Sequence, residues 1–338
     1  MLLKEISNIP GPSGYEKPIR DYLKKLVRKN CKTLETDALG NIICFKPGKK
    51  KTPRIMLSAH MDEVGFIVSE INPDGFLKVQ SLGGIDPRVV LTKKVYFPGQ
   101  KIKGVVGVIP IHLMKKGDGD KVPDWDSIYI DIGAKNKKDA EKYIQLGDVA
   151  VFDTEFEDLG DVYKGKSFDD RVGCYILQEM LKKRFEYSIY GVFTTQEEFG
   201  LRGVRPAVNK VKPDIAINLE CTTAGDLPTE KDLTPSTELG KGPAITIMDR
   251  TSISSPKLVD YLVKLAKQNK IPYQFKRTTT GGTDAGYIHL SRDGVATVTI
   301  SVPARYIHSP VSLISKSDLE NAIKLVELAI INLDRIKL

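Results

Sequence analysis

The sequence contains no run approaching the roughly 18 consecutive apolar residues of a membrane helix, so no membrane-spanning role is expected. Its first ten residues, "MLLKEISNIP", carry Lys4 and Glu5 where a signal peptide needs an unbroken apolar stretch. Export is therefore not expected, and the cytoplasm is the default location. Cysteine is scarce. Cys31, Cys44, Cys174 and Cys221 stand far apart, which excludes the close spacing of a zinc knuckle or a redox pair. They read as small buried hydrophobes in a reducing compartment. Aromatic residues make up only 7% of the chain, and none interleave with a basic stripe. The net charge of +8 comes instead from lysines scattered through segments such as "LKKLVRK", "KNKKDAEK" and "LKKRF". That distribution describes solvated helix faces, and no nucleic-acid partner is expected.

What is present fits a folded protein, with 41% hydrophobic and 28% charged residues over 338 positions. At ~100–200 residues per domain the length suggests about two domains. Residues 16 to 29 place Ile19, Tyr22, Leu23, Leu26 and Val27 on one helical face. The run "RIMLSAHMD" then reads as a buried strand ending on His60 and Asp62. From 66 to 164 the texture changes to short alternating runs, such as "FIVSEI", "FLKVQSL" and "DVAVFD", broken by "NPDG" and "FPGQ". This spacing predicts a compact β barrel or sandwich with one small helix near "KKDAEKYI".

After 164 a longer α/β alternation returns. A helix is expected from about Asp169, where Asp169 or Asp170 has the chemistry to cap it, and strands at "SIYGVFTT" and "DIAINLE". A helix follows the Ser255 cap, with Pro256 in its first turn. Strands at "YQFK" and "ATVTISV" come next, and the chain closes on a helix whose capping box is read as Ser317 and Glu320. The expected organisation is one α/β domain formed by 1–65 and 165–338, interrupted by a β-rich domain over 66–164.

Only four histidines occur, so each can be weighed. His112 and His289 have no acidic neighbour of the kind that suggests a ligand, and they read as ordinary core or surface residues. His60 stands two residues before Asp62, and His308 follows "VTISVPARYI". His60, Glu197, Glu198 and Glu220 all fall at the carboxyl ends of apolar runs, the edge where open α/β sheets bind ligands. Carboxylates crowded into one crevice repel each other unless a cation compensates them. Two imidazoles with three or more carboxylates suit zinc or cobalt, and a shared carboxylate would hold two ions about 3.5–4 Å apart. Neighbours on a strand point to opposite faces, so in "TTQEEFG" one glutamate is expected to bind metal and the other to act as general base. Spacing does not say which.

Five motifs in order, "SAHMDEVGF", "GKSFDDRVG", "TTQEEFGLRG", "GGTDAG" and "ARYIHSP", resemble the glutamyl and tetrahedral (deblocking) aminopeptidases of metallopeptidase family forty-two, some members of which are labelled cellulases or endoglucanases. The resemblance covers essentially the whole chain. It implies a three-layer, zinc-peptidase-like α/β catalytic domain with an inserted small β-barrel used in assembly, commonly a hollow twelve-subunit tetrahedron that admits short peptides. It further implies that His60, Asp169 and Glu220 hold a first metal and that Asp169, Glu198 and His308 hold a second. Glu197 would be the general base, and Asp62 would orient His60. At position 220 this chain has glutamate where many members have aspartate. Asp284 in "GGTDAG" resembles a family loop near the site.

The expected function is hydrolysis of amino-terminal residues from short peptides with two divalent ions per subunit. Two other classes compete. A metal-independent glycoside hydrolase also uses paired carboxylates, but these must stand about 5–9.5 Å apart across a sugar. A non-catalytic metal-binding assembly shell would bind ions and oligomerise yet release no amino acid.

Overall fold

The structure, a computed structural model, describes residues 1–113, 121–228 and 235–336. Its larger part is a mixed sheet. Four parallel neighbours form the centre, in the order Tyr187–Thr194, Lys50–His60, Ile215–Thr223 and Ala296–Arg305. Strands Ile42–Lys46 and Thr33–Thr36 extend one side of this centre in antiparallel fashion. Strands Ser312–Ser315, Val162–Gly165 and Glu157–Asp158 extend the other. The short strand Ala244–Thr246 pairs with Ala296–Arg305 and carries Gln274–Lys276.

The central strands are buried along both faces, which is why they read as nearly unbroken apolar runs. Alternation sorts their side chains into two cores. Ile55, Leu57 and Ala59 join helices Leu2–Asn8, Lys17–Val27, Phe168–Lys182, Pro256–Gln268 and Lys316–Ile331 on one face. Met56, with Val192 and Ala216, faces Val204–Val211 and Ala285–Ile288 on the other. Each fully buried aliphatic side chain contributes about 1.5–3 kcal/mol, and together they make a three-layer α/β unit. Ile19, Leu23 and Val27 are the buried stripe of the predicted first amphipathic helix.

The chain leaves this unit after His60 and builds a closed antiparallel barrel. Its strands run in the order Gly65–Ile71, Leu77–Leu82, Tyr129–Asp131, Ile102–Val106, Lys94–Phe97 and Val149–Phe152. Period-two burial, as in Leu77 and Val79, fills the barrel with Phe66, Val95, Phe97, Ile130 and Phe152. Closure removes the open strand edges that short strands would otherwise expose. The strands after the barrel, from Glu157, pair in the large sheet.

Two local expectations are corrected. The last helix, Lys316–Ile331, is capped by Ser315, whose Oγ accepts the Asp318 N–H at 3.4 Å. Ser317 lies inside the first turn, because the preceding strand runs on to Ser315 and sets the cap there. The cysteines are not all packing residues. Cys31 and Cys44 form a disulfide, with Cα atoms 5.8 Å apart, while Cys174 and Cys221 are buried free thiols. The two paired cysteines are 13 residues apart. The antiparallel register that joins Thr33 to Phe45 brings them together, and sequence spacing carries no trace of it. Among the described residues, no helix is long and apolar enough to cross a membrane.

Candidate metal centre

Three parallel strands place the first side chains. His60 is the last residue of its strand and pairs with Thr194, the last residue of the neighbouring one. On the other side, Ser58 pairs with Asn218. Glu220 lies two residues beyond Asn218, as His60 lies two beyond Ser58, so both side chains emerge at one level and on one face. Glu220 therefore sits inside its strand, Ile215–Thr223, and not at the strand's end. It reaches the crevice because its neighbour strand ends level with it, at His60. A chain of hydrogen bonds runs beneath it: Ser58 Oγ–H donates to Asn218 Oδ1 at 2.6 Å, and Asn218 Nδ2–H donates to Glu220 Oε1 at 3.1 Å.

The glutamate pair also departs from expectation. The strand ends at Thr194, and Gln196 has a left-handed φ of 52°, so Glu197 and Glu198 lie in a turn. Strand alternation does not apply there, and both side chains enter the crevice. Glu197 Oε2 is 3.9 Å from His60 Nε2, and Glu198 Oε1 is 3.2 Å from His308 Nε2. Asp62 holds this turn. Its Oδ1 accepts the Glu197 N–H at 3.1 Å, and its Oδ2 accepts the Glu198 N–H at 3.2 Å and the Ser13 hydroxyl at 2.6 Å. The same Oδ1 is 3.4 Å from His60 Nδ1.

Asp169 and Asp170 open the helix Phe168–Lys182 with non-helical dihedrals. Asp169 lies between the two imidazoles, with Oδ1 3.0 Å from His60 Nε2 and Oδ2 3.1 Å from His308 Nε2. Asp170 is fully buried. Its Oδ1 accepts the Gly173 N–H at 2.9 Å, which is the capping bond foreseen for this doublet, and its Oδ2 accepts the His60 backbone N–H at 3.2 Å.

His308 comes from the turn after Ala296–Arg305, with a φ of 56°. Its Nδ1 is 2.9 Å from the Gly84 carbonyl of the barrel. A carbonyl only accepts, so Nδ1 carries the hydrogen, and Nε2 faces Asp169 and Glu198, donating to them when protonated and offering a lone pair to a cation when neutral. Gly83 permits this approach. It has a φ of 93°, and a Cβ there would lie 2.8 Å from Val64 and 3.3 Å from Glu198 Cβ. The barrel thus supplies part of the site.

Electrostatically the crevice is an excess of acid. Burial pushes the carboxyls of Glu197 and Glu220 well above the usual range, and His60 only partly offsets it. Burial does the same to Asp170, with the charge of Glu220 adding to it. His60 would be lowered by burial, but the charge of Glu197 and its contacts with Asp169 and Asp62 hold it well above the usual imidazole range. His308 is raised chiefly by Glu198. Asp169 is held low, because His308 and His60 outweigh its burial. Two sets of donor atoms lie within 4.8 Å of one another, one from His60, Asp170 and Glu220 and one from His60, Asp169 and Glu198. Glu198 Oε1 and His60 Nδ1 are buried without an aligned hydrogen-bond partner. Imidazole nitrogens and surplus carboxylates with an unpartnered oxygen fit a borderline divalent cation.

The sequence pattern of M42 glutamyl aminopeptidases matches residues 40–325. The chain belongs to this family. The lysyl aminopeptidase of Pyrococcus furiosus is 37% identical to it over 336 residues, spanning 96% of this chain and 95% of its own length. The glutamyl aminopeptidase of Lactococcus lactis is 35% identical, with spans of 94% and 91%. Among solved structures, the aminopeptidase APDkam598 from the archaeon Desulfurococcus kamchatkensis matches with a TM-score of 0.93 at 38% identity, covering 98% of this chain and 94% of that one. The TET1 peptidase of Pyrococcus horikoshii, which can assemble into a tetrahedron or a large octahedral shell, matches at 0.86 with 33% identity and 98% of both chains. A Thermotoga maritima structure named endoglucanase matches at 0.81 with 38% identity, covering 97% and 96%. As a member of the M42 family the chain is an aminopeptidase of the metallopeptidase class.

All the residues singled out from the sequence of this M42 aminopeptidase, His60, Asp62, Asp169, Glu197, Glu198, Glu220 and His308, converge on one crevice. Asp284 is buried beside them and accepts the Thr194 hydroxyl at 2.5 Å. His112 is exposed on a short 3-10 turn, and His289 Nδ1 lies 2.9 Å from the Ala285 carbonyl of its own helix. Sequence reasoning did not single out Ser13, Glu16 or Glu63. The acidic doublet itself marked Asp170. No signal marked the other three, whose contacts span 49 to 180 residues of chain.

Proposed function

We propose that this M42 aminopeptidase removes amino-terminal residues from short peptides at a two-metal centre, with Glu197 as the general base. The observation that carries the reading is Asp169, whose two oxygens contact His60 Nε2 at 3.0 Å and His308 Nε2 at 3.1 Å, the arrangement of a carboxylate shared between two ions. His60, Asp169 and Glu220 would hold one ion, and Asp169, Glu198 and His308 the other. Zinc or cobalt suits this nitrogen and oxygen set. Such ions, when bound, acidify water and polarise a carbonyl. Both oxygens of Asp170 are engaged by backbone N–H groups, so it is assigned to holding the helix start against His60.

Glu197 has the geometry and electrostatics of a proton carrier. Its burial stabilises the protonated form, and it faces the crevice beside His60. We assign to its Oε2 the proton lost by the attacking water, which then passes to the nitrogen of the leaving amine. Asp62 fixes the Glu197 backbone and the His60 ring together, and Gly84 fixes the tautomer of His308.

Aminoacyl-anilide profiling of protein reconstituted separately with zinc, cobalt and manganese tests the reading. Chelator-sensitive release of amino-terminal residues, restored by one of these ions, is expected. The similarity to a protein named endoglucanase keeps one other reaction in the panel, and chelator-resistant cleavage of cellulose oligomers would favour it over ours. We further propose that the barrel mediates assembly into a tetrahedral dodecamer. The shells formed by the Pyrococcus horikoshii relative support this, and light scattering giving a monomeric mass would exclude it.

A further inference from the structure

The amino-terminal segment Gly11–Glu16, "GPSGYE", passes directly behind the crevice. Gly11 exchanges hydrogen bonds with Glu63, its N–H donating to Oε1 at 3.0 Å and its carbonyl accepting the Glu63 N–H at 3.0 Å. Ser13 donates to Asp62. The Tyr15 hydroxyl donates to the Gly147 carbonyl of the barrel at 3.1 Å. Glu16, only 3% exposed, ends the segment.

Glu16 occupies the N-cap position of helix Lys17–Val27, but its side chain makes no bond to that helix. An acidic N-cap ordinarily accepts an N–H from its own first turn. Here Oε1 accepts the Gly14 N–H at 2.7 Å and the Gln196 N–H at 3.1 Å, the second across 180 residues of sequence. Gln196 is the left-handed residue that directs the chain into Glu197 and Glu198. The turn is therefore held at three successive backbone N–H groups by two buried carboxylates: Glu16 at 196, and Asp62 at 197 and 198.

We propose that Glu16 is a positioning residue for catalysis, fixing through Gln196 the turn that aims Glu197 and Glu198 into the crevice. The inference rests on the roles assigned to those two glutamates above. It requires an acceptor oxygen at the reach of a glutamate-length side chain, whereas a charge on that side chain is not required. Burial, followed by the nearby charge of Asp62, raises the Glu16 carboxyl to about 7, so a neutral side chain is compatible with the site. Displacement of reacting groups by about 1 Å can cost on the order of 100-fold in rate.

Three variants of the metal-reconstituted full chain test it: Glu16→Ala, Glu16→Asp and Glu16→Gln. Glu16→Gln keeps an acceptor at the same reach and is expected to retain kcat within about threefold, while Glu16→Ala and Glu16→Asp, which lose that reach, drop kcat by about 10–100-fold. KM should stay within about twofold in all three, since substrate-binding groups are untouched. Metal content and Tm, measured alongside, report folding. Should Glu16→Ala fail to fold, the comparison of Glu16→Asp with Glu16→Gln decides. A fully active Glu16→Asp, or a Glu16→Gln as impaired as Glu16→Ala, would overturn the proposal. Glu197→Gln run in parallel separates the two readings. If it is inactive while the Glu16 series is unaffected, only the positioning role fails, and if it is active, the assignment of the base fails.

Discussion

His60 Nε2 and Asp169 Oδ1 lie 3.0 Å apart, although 109 residues separate them in the chain. One ends a central strand and the other begins a helix packed against that strand's sheet. Their contact closes the gap left by the inserted barrel, and it places a carboxylate where two imidazoles converge at the edge of the parallel strands. The predictions below follow from this convergence.

The adjacent glutamates should separate by function. Glu197→Gln is expected to lower kcat by at least about 10²-fold, the scale of a lost general base, with both metal ions retained. Glu198→Gln should lose one ion, because its Oε1 stands beside His308. Metal analysis of both purified variants checks this. Loss of metal from Glu197→Gln alone would exchange the two roles.

Asp62→Asn should damage the site without altering any ligand or the base. The amide retains an acceptor but loses the charge that holds His60 and the two turn N–H groups. A loss of about 10–100-fold in activity or metal affinity is expected. Steady-state kinetics at saturating metal, together with a metal titration, measures it.

Metal removal should make stability fall as pH rises. Glu16 and Asp284 have carboxyls raised from 4.5 and 3.8 to about 7, mainly by burial. An acid whose folded pKa exceeds its unfolded pKa stabilises the fold fully below the unfolded value and loses that contribution as pH rises through the folded one. His60 and His308, raised above 6.5, act in the same direction at higher pH. Asp62 and Asp169 are held low and lose their contribution only below 3.8, outside this window. The Tm of the metal-free protein should therefore fall between pH 4.5 and pH 8. Metal binding needs deprotonated ligands, so the Tm difference between loaded and metal-free protein should widen over the same range. A metal-free Tm that rises with pH would contradict the assignment.

Beside the centre, Lys166 Nζ is 2.9 and 2.7 Å from the two oxygens of Glu63, with both side chains buried. Lys166→Met leaves that carboxylate buried with Arg171 still 3.7 Å away. A cost of about 3 kcal/mol is expected, at the lower end for a broken buried pair. Adding Glu63→Gln should not restore it, since the buried Arg171 guanidinium then loses its carboxylate partner. Urea unfolding of the single and double variants compares the two costs.

Much of the site was legible because its residue types are unusual where they occur. An imidazole or a carboxylate at the end of a buried apolar run, as at His60 or Glu197, is costly to place without a partner. The five motifs carried the remaining assignments. Local rules failed where neighbouring structure set the outcome. The strand that should have sent Glu197 and Glu198 to opposite faces stops at Thr194, and the left-handed Gln196 turns both inward. The Cys31–Cys44 disulfide and the Ser315 cap both depend on where adjacent strands run.

The sequence by itself determined an α/β unit interrupted by a β-rich block, because periodic burial is written into the order of apolar and polar residues, while strand pairing decided that the block is a closed barrel. It also singled out the side chains that meet in the crevice. Only the tertiary structure decided what holds them: Asp62 against two consecutive backbone N–H groups, Gly84 against His308, and Glu16 against Gln196. Those contacts join segments up to 224 residues apart through single hydrogen bonds, and such pairings have no periodicity for a sequence to display.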